Sequence, residues 1–102
     1  MIYLKEADRL RFDILDENKK VGRIEFRSHG TVLYDIWIDE KNRNQGYGSA
    51  ALKEALELLK KMGIAEVTVQ ATEDSINFYL KNGFEPTGER DGLTEYLFIH
   101  LK

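Results

Sequence analysis

The sequence contains no cysteine, and that absence removes disulfides, thiolate metal sites and a cysteine nucleophile together. Histidine is scarce: only His29 and His100 are present, neither has a motif around it, and a zinc site would need carboxylates to complete it. No metal is expected, and both histidines read as structural or solvated. Nor is there an excess of basic charge. The 15 Lys and Arg stand against 18 Asp and Glu, for a formal net charge of −3, which lacks the footprint of a nucleic-acid binder. Long apolar runs are missing as well. The opening stretch MIYLKEADRL meets charges within its first five positions, so neither a signal peptide nor a membrane span is expected, and the cytoplasm is the default location. Pro86 is the single proline, and no repeat, linker or low-complexity tract interrupts the chain.

What remains is an ordinary globular composition, 42% hydrophobic and 32% charged over 102 residues. That length supports one core and is too short for two, so residues 1–102 are expected to form one domain. RLRFDIL and VGRIEF alternate on either side of the polar turn DENKK, which predicts a hairpin across residues 9–27. SHG at 28–30 breaks the pattern, and TVLYDIWID, rich in β-branched and aromatic residues, predicts a third strand. These segments form an antiparallel meander with residues 1–5 as an additional edge strand, and no helix fits in this half.

The period then changes. From Gly48 the apolar residues Leu52, Ala55, Leu56, Leu59 and Met62 share one helical face, and Gly63 suits the left-handed conformation that ends a helix. AEVTVQAT follows as a strand with Ala65, Val67, Val69 and Ala71 on one side. A strand–helix–strand crossover returns the chain in the same direction, so strands 31–39 and 65–71 are predicted to run parallel. Next comes a short helix carrying Ile76, Tyr79 and Leu80, capped by Thr72 or Asp74 and ended by Gly83. FEPTGERDGLTEYLFIHL closes as a hairpin turning near Asp91-Gly92. The fold class is α+β, a mixed sheet with one crossover.

Within IDEKNRNQGYGSAALKEAL the glycines Gly46 and Gly48 sit between the third strand and the long helix. A helix N-terminus presents unpaired backbone N–H groups and positive dipole, and missing side chains let an anion approach, which fits a pyrophosphate cradle. The glycines also serve a plain strand-to-helix turn. GYGSAA matches the dinucleotide pattern, yet that reading requires more parallel strands and an acidic residue about 20 positions on. Glu73 lies too late, and only one crossover exists, so a nicotinamide-binding domain fits poorly.

Arg43-Asn44-Gln45-Gly46-Tyr47-Gly48, directly after the strand ending IWID, together with FYLKNGF at residues 78–84, resembles the GNAT superfamily of acetyl-CoA-dependent N-acetyltransferases. The resemblance covers residues 31–101 well and the first 30 loosely. It implies that backbone amides of Arg43, Asn44, Gln45, Gly46, Tyr47, Gly48 and Ser49 hold the pyrophosphate of acetyl-CoA. It further implies that Ile36, Trp37 and Ile38 pair with the pantetheine arm through their backbone, and that the acceptor is a primary amine of a protein, peptide or small molecule.

Acetyl transfer from a thioester needs a neutral amine and a protonated leaving thiolate. Tyr79, at the position of the tyrosine that in such enzymes lies beside the sulfur, is the candidate acid, with core packing as its competing role. Of Tyr34, Asp35 and Asp39, which lie on or beside the strand facing the acetyl group, Asp35 is the candidate base. Its competing role is an ion pair with Arg23 or Arg27, and strand alternation places residues 34 and 35 on opposite faces unless a bulge intervenes. Two departures from the family pattern stand out. Thr72 occupies the position where an asparagine is common and Ser75 that of an alanine; both are expected to touch CoA. The two helices that usually separate the first two strands have no room here, so the acceptor side should be open or be completed by a second subunit, as in a homodimer. Two other functions compete with catalysis: an acyl-CoA-binding or regulatory domain without activity, and a plain interaction domain.

Overall fold

The computed structural model describes residues 2–8 and 10–101. Seven strands, β1 (Ile2–Asp8), β2 (Arg11–Asp16), β3 (Lys19–Arg27), β4 (Val32–Ile38), β5 (Glu66–Thr72), β6 (Glu85–Asp91) and β7 (Thr94–His100), form one sheet. Its order is β1-β2-β3-β4-β5-β7-β6. The first four strands are an antiparallel meander. The β4–β5 pair is parallel, and β7 pairs antiparallel with β5 and β6. Helix α1 (Tyr47–Lys61) makes the crossover, and α2 (Ile76–Lys81) links β5 to β6. This is the mixed α+β sheet expected from the sequence, with the edge strand extended to Asp8. Among the described residues no helix lies between β1, which ends at Asp8, and β2, which starts at Arg11.

Alternation decides which side is buried. Phe12, Ile14, Ile24, Phe26, Leu33, Val67, Val69 and Leu97 project to one face and pack beneath Ala51, Leu52, Ala55, Leu56 and Leu59 of α1. On the other face the arginines of β2 and β3 lie among carboxylates: Arg11–Glu25 at 3.4 Å, Arg27–Glu25 at 3.0 Å and Arg23–Asp35 at 3.2 Å. Their side chains remain 44–52% exposed, so these pairs add little stability and the face stays wet. Among the described residues no helix lies over it.

Leu59, fully buried, also meets the turn at Ser28–Gly30, its Cδ2 lying 3.2 Å from where a Cβ on Gly30 would stand. Truncating it opens a cavity between α1 and that turn. A Leu59→Ala variant is expected to lose about 2–5 kcal/mol in urea denaturation, whereas Met62→Ala should lose far less.

Several sequence expectations shift. Met62 is 54% exposed and Leu80 40%, and Ala65 is exposed; Ala51 takes Met62's place in the buried stripe because α1 starts at Tyr47 and ends at Lys61. Neither Thr72 nor Asp74 caps α2. Its N-cap is Ser75, with no side-chain capping bond, because the Ser75 hydroxyl is engaged by Thr72, accepting from its N–H at 3.1 Å. Gly63 and Gly83 do adopt positive φ, 89° and 96°. No helix among the described residues is long and apolar enough to cross a membrane.

Candidate functional site

The β3–β4 register runs Glu25↔Asp35 and then Phe26↔Leu33, so Tyr34 is an extra residue and β4 bulges there. A bulge bends its strand and ends pairing. Accordingly β4 pairs with β5 only at Val32↔Thr68 and Leu33↔Val69, and beyond Leu33 the two strands diverge. The bulge also resets the alternation. Ile36 and Ile38 fall on the same side as Leu33, while Tyr34 and Asp35 both reach arginines on the opposite face of β3. The Arg27 guanidinium lies 3.2 Å from the Tyr34 ring centroid, and Arg23 pairs with Asp35 at 3.2 Å. The expectation that 34 and 35 point to opposite faces is therefore corrected, and the expected ion pair of Asp35 is made with Arg23.

The divergence opens a cleft of ≈ 550 Å³ bounded by Ile36 and Ile38 of β4, the loop before α1, and Phe78 and Tyr79 of α2. In that loop Asn44 and Gly46 have positive φ, 63° and 79°. Arg43 steadies the turn, its Nε donating to the Ile38 carbonyl at 2.8 Å. Gly46 is the N-cap, so no side chain caps α1, and no acidic residue lies in its first turn. The first N–H groups of α1 thus have no partner on its own side chains, at the positive end of a 15-residue helix. Gly48 serves packing: a Cβ there would stand 3.3 Å from the Phe78 ring. The Asn82 amide, donating to Ser49 Oγ at 3.2 Å, ties α2 to α1, and the Tyr47 hydroxyl donates to Asp16 Oδ2 at 2.5 Å. That bond raises the Tyr47 pKa and lowers that of Asp16.

Tyr79 is 6% exposed, held edge-on between Phe78 and Phe84 at ring separations of 5.2 Å and 5.5 Å. Burial, and then the carboxylate of Asp35, push its pKa up to about 12. The core role and the cleft role weighed for this residue coincide: the ring is packed and also lines the cleft. A measurable consequence follows for folding. Because the folded state holds the phenolic proton more tightly than the unfolded chain, whose pKa is about 10, this stabilisation is complete below pH 10. It declines as pH rises through 12, by up to about 2–3 kcal/mol. Denaturation midpoints at pH 8 and pH 11 should fall further for wild type than for Tyr79→Phe.

Of the residues singled out in the sequence, Ile36, Ile38, Arg43, Asn44, Gly46, Tyr47, Gly48, Ser49, Ser75 and Tyr79 come together around this cleft. Trp37, Gln45, Thr72 and Asp35 do not line it. Trp37 lies beneath the Arg23 guanidinium, 5.0 Å from its ring centroid, on the far side of β4. Gln45 turns back to the Lys41 carbonyl, and Thr72 is tied to Ser75. Asp39 uses its backbone N–H on the Val21 carbonyl at 2.7 Å. His29 occupies the turn after β3 with φ 58°, and His100 lies 3.3 Å from Glu66 on the last strand; neither is at the cleft. Among the described residues no cluster of His, Asp and Glu could hold a metal. The cleft also takes in Asn42, Asp74, Phe78 and Lys81. Phe78 and Lys81 were visible within FYLKNGF, but Asn42 and Asp74 have no sequence signal and are brought in by the turns that flank β4 and α2.

The fold has known counterparts. Residues 2–84 match the family described as Acetyltransferase (GNAT) family. No curated protein matches the chain. Among solved structures, the PaiA N-acetyltransferase of Thermoplasma acidophilum, in complex with coenzyme A, superposes with a TM-score of 0.79 at 23% identity, over 89% of this chain and 60% of that one. Tetrahymena GCN5 gives 0.76 at 18% identity over 93% and 71%, and Ard1 of Thermoplasma volcanium gives 0.76 at 21% over 91% and 71%. The chain thus spans well under the full length of these structures, and at such identities the likeness is one of fold. With a family match over most of its length, the chain belongs to the GNAT acetyltransferase family.

Proposed function

We propose that this protein transfers an acetyl group from acetyl-CoA to a primary amine. The observation that supports it best is the uncapped N-terminus of α1 opening onto the same cleft as Tyr79. The N–H groups from Asn44 to Ser49 would hold the diphosphate, that of Arg43 being taken by the Glu40 carbonyl at 3.4 Å, since backbone donors at a helix start suit an anion without a charged partner. The β4 backbone at Ile36–Ile38, left without a β5 partner, would hydrogen-bond the amides of the pantetheine arm, which enters where the strands diverge.

Acetyl-CoA supplies an activated acyl thioester. As the amine nitrogen forms its bond to the carbonyl carbon, the carbon–sulfur bond breaks, the thiolate leaves and the ammonium proton must be shed. Tyr79 remains protonated throughout the working range because its pKa lies near 12. Handing its proton outright to a thiolate would run uphill, because a thiol is a stronger acid than a phenol held at that pKa. The hydroxyl therefore acts by donating a hydrogen bond to the sulfur as charge develops there, and the proton that neutralises the thiolate is the one the amine gives up. Asp35 lies off the cleft on the far face of β4, paired with Arg23, so it is the proposed first acceptor of that proton only for an amine that approaches from that face.

Among the described residues no helix covers the far face of the sheet, and an acceptor side open in this way suits a protein or peptide amine better than a small molecule that needs enclosure. A second copy of the chain related by two-fold symmetry would complete that wall. Mass spectrometry of a peptide and polyamine panel incubated with acetyl-CoA, alongside light scattering, tests this: peptide acetylation is the expected result. Selective acetylation of a small amine by a strict monomer would contradict the acceptor assignment. The pairing of Asp35 with Arg23 favours a second reading, an acyl-CoA-binding domain without turnover. Binding with no acetylation across the panel would select it.

A further inference from the structure

Asn42 is 9% exposed, and its amide nitrogen Nδ2 has no hydrogen-bond partner among the described residues. A buried donor left unpaired costs a protein stability, so such a group calls for a reason. Its position supplies one. Asn42 closes the turn Glu40–Asn42 after β4, where its backbone N–H is fixed on the Asp39 carbonyl at 2.8 Å, and it lines the cleft together with Gly46 and Gly48. The next side chain, Arg43, is turned back onto the protein at Ile38. Asn42 is thus a cleft-lining residue beside the uncapped start of α1 whose amide nitrogen is buried and lacks a protein acceptor, so a turn of the side chain is needed to bring that donor to the cleft.

We infer that Asn42 is a binding residue for the cosubstrate, its side-chain amide donating to a diphosphate oxygen of CoA. This rests on the acetyl-CoA reading above and adds to the backbone cradle a side-chain contact outside the glycine motif. An acceptor carrying charge suits the position, because the dipole of α1 already favours negative charge there, and a hydrogen bond to an ionised oxygen is stronger than one to a neutral oxygen. The site is built at a cost to the ligand-free fold that the ligand offsets on binding.

Asn42→Leu removes the donor at similar volume and so separates the two effects. The ligand-free variant should melt at or above the wild-type temperature. Calorimetric titration should give a Kd for CoA weaker by roughly ten- to a hundredfold, in line with a charged hydrogen bond. ADP, which keeps the diphosphate, should weaken in proportion, and pantetheine, which lacks it, should not. Asn42→Asp, of the same size but with an acidic side chain, should bind CoA most weakly of all. A leucine variant that loses stability and keeps wild-type CoA affinity would make Asn42 a fold residue and overturn the inference. So would an aspartate variant that binds as wild type does, or a loss that spares ADP. Wild type failing to bind CoA would overturn the acetyl-CoA reading as well, whereas wild type and both variants binding equally would overturn this inference alone.

Discussion

A Gly46→Glu protein is expected to fold and to show no stabilisation by acetyl-CoA. Nothing lies within 4 Å of the position a Cβ would take at Gly46, so the new side chain meets no steric barrier in the protein itself. Its backbone cost comes from φ 79°, a conformation that costs an L-residue about 1–2 kcal/mol. The carboxylate would then occupy the start of α1, satisfy the N–H groups that the diphosphate would otherwise use, and repel the diphosphate by like charge. Wild type at acetyl-CoA one hundred times its Kd should gain about 2.7 kcal/mol, a shift easily seen in a domain of this size, and the variant should gain none. Gly46→Asn separates the causes. Asparagine tolerates positive φ and carries no charge, so it should melt near wild type and retain part of the shift.

Tyr79→Phe should lower turnover by roughly ten- to a thousandfold while leaving CoA affinity nearly intact. The hydroxyl is assigned to the departing sulfur, which carries charge only as the bond breaks, so its loss appears in kcat rather than in binding. Packing should survive, since phenylalanine keeps both edge-on contacts, with Phe78 and Phe84. The pH profile offers a second readout. With the Tyr79 pKa near 12, activity should rise with pH as the amine loses its proton, and show no descending limb from this tyrosine below about pH 11. Unchanged turnover in the variant would make Tyr79 a packing residue.

Much of this was legible in the sequence because it depends on period and punctuation. The shift from alternation to a 3.6-residue stripe after Gly48, and the positive-φ glycines Gly63 and Gly83 behind each helix, mark the crossover and both helices without reference to tertiary contacts. The bulge at Tyr34 was not legible in the same way. Its existence depends on how β4 registers against β3 across the Ser28–Gly30 turn, which composition and period do not fix, and it decides that Asp35 faces Arg23 while Ile36 faces the cleft. Met62 and Leu80 misled as well: Met62 follows the last residue of α1, and Leu80, inside α2 beside buried Tyr79, is turned outward at 40% exposure. Asn42 is polar and sits in a polar loop, so nothing in its local sequence distinguishes a buried amide from a solvated one. The loop residues were found through a motif, Tyr79 through its neighbour Phe78 and Thr72 through its distance from that pair, while Trp37 and Gln45 entered as members of their segments; the side chains of Trp37, Gln45 and Thr72 lie off the cleft.

Titration calorimetry of the wild-type protein with acetyl-CoA, run beside NAD, bears on all of these assignments at once. Saturable one-site binding of acetyl-CoA, lost in Gly46→Glu, with no heat from NAD, is the expected result. No binding of acetyl-CoA, or equal binding by wild type and Gly46→Glu, would contradict the placement of the cosubstrate at the start of α1.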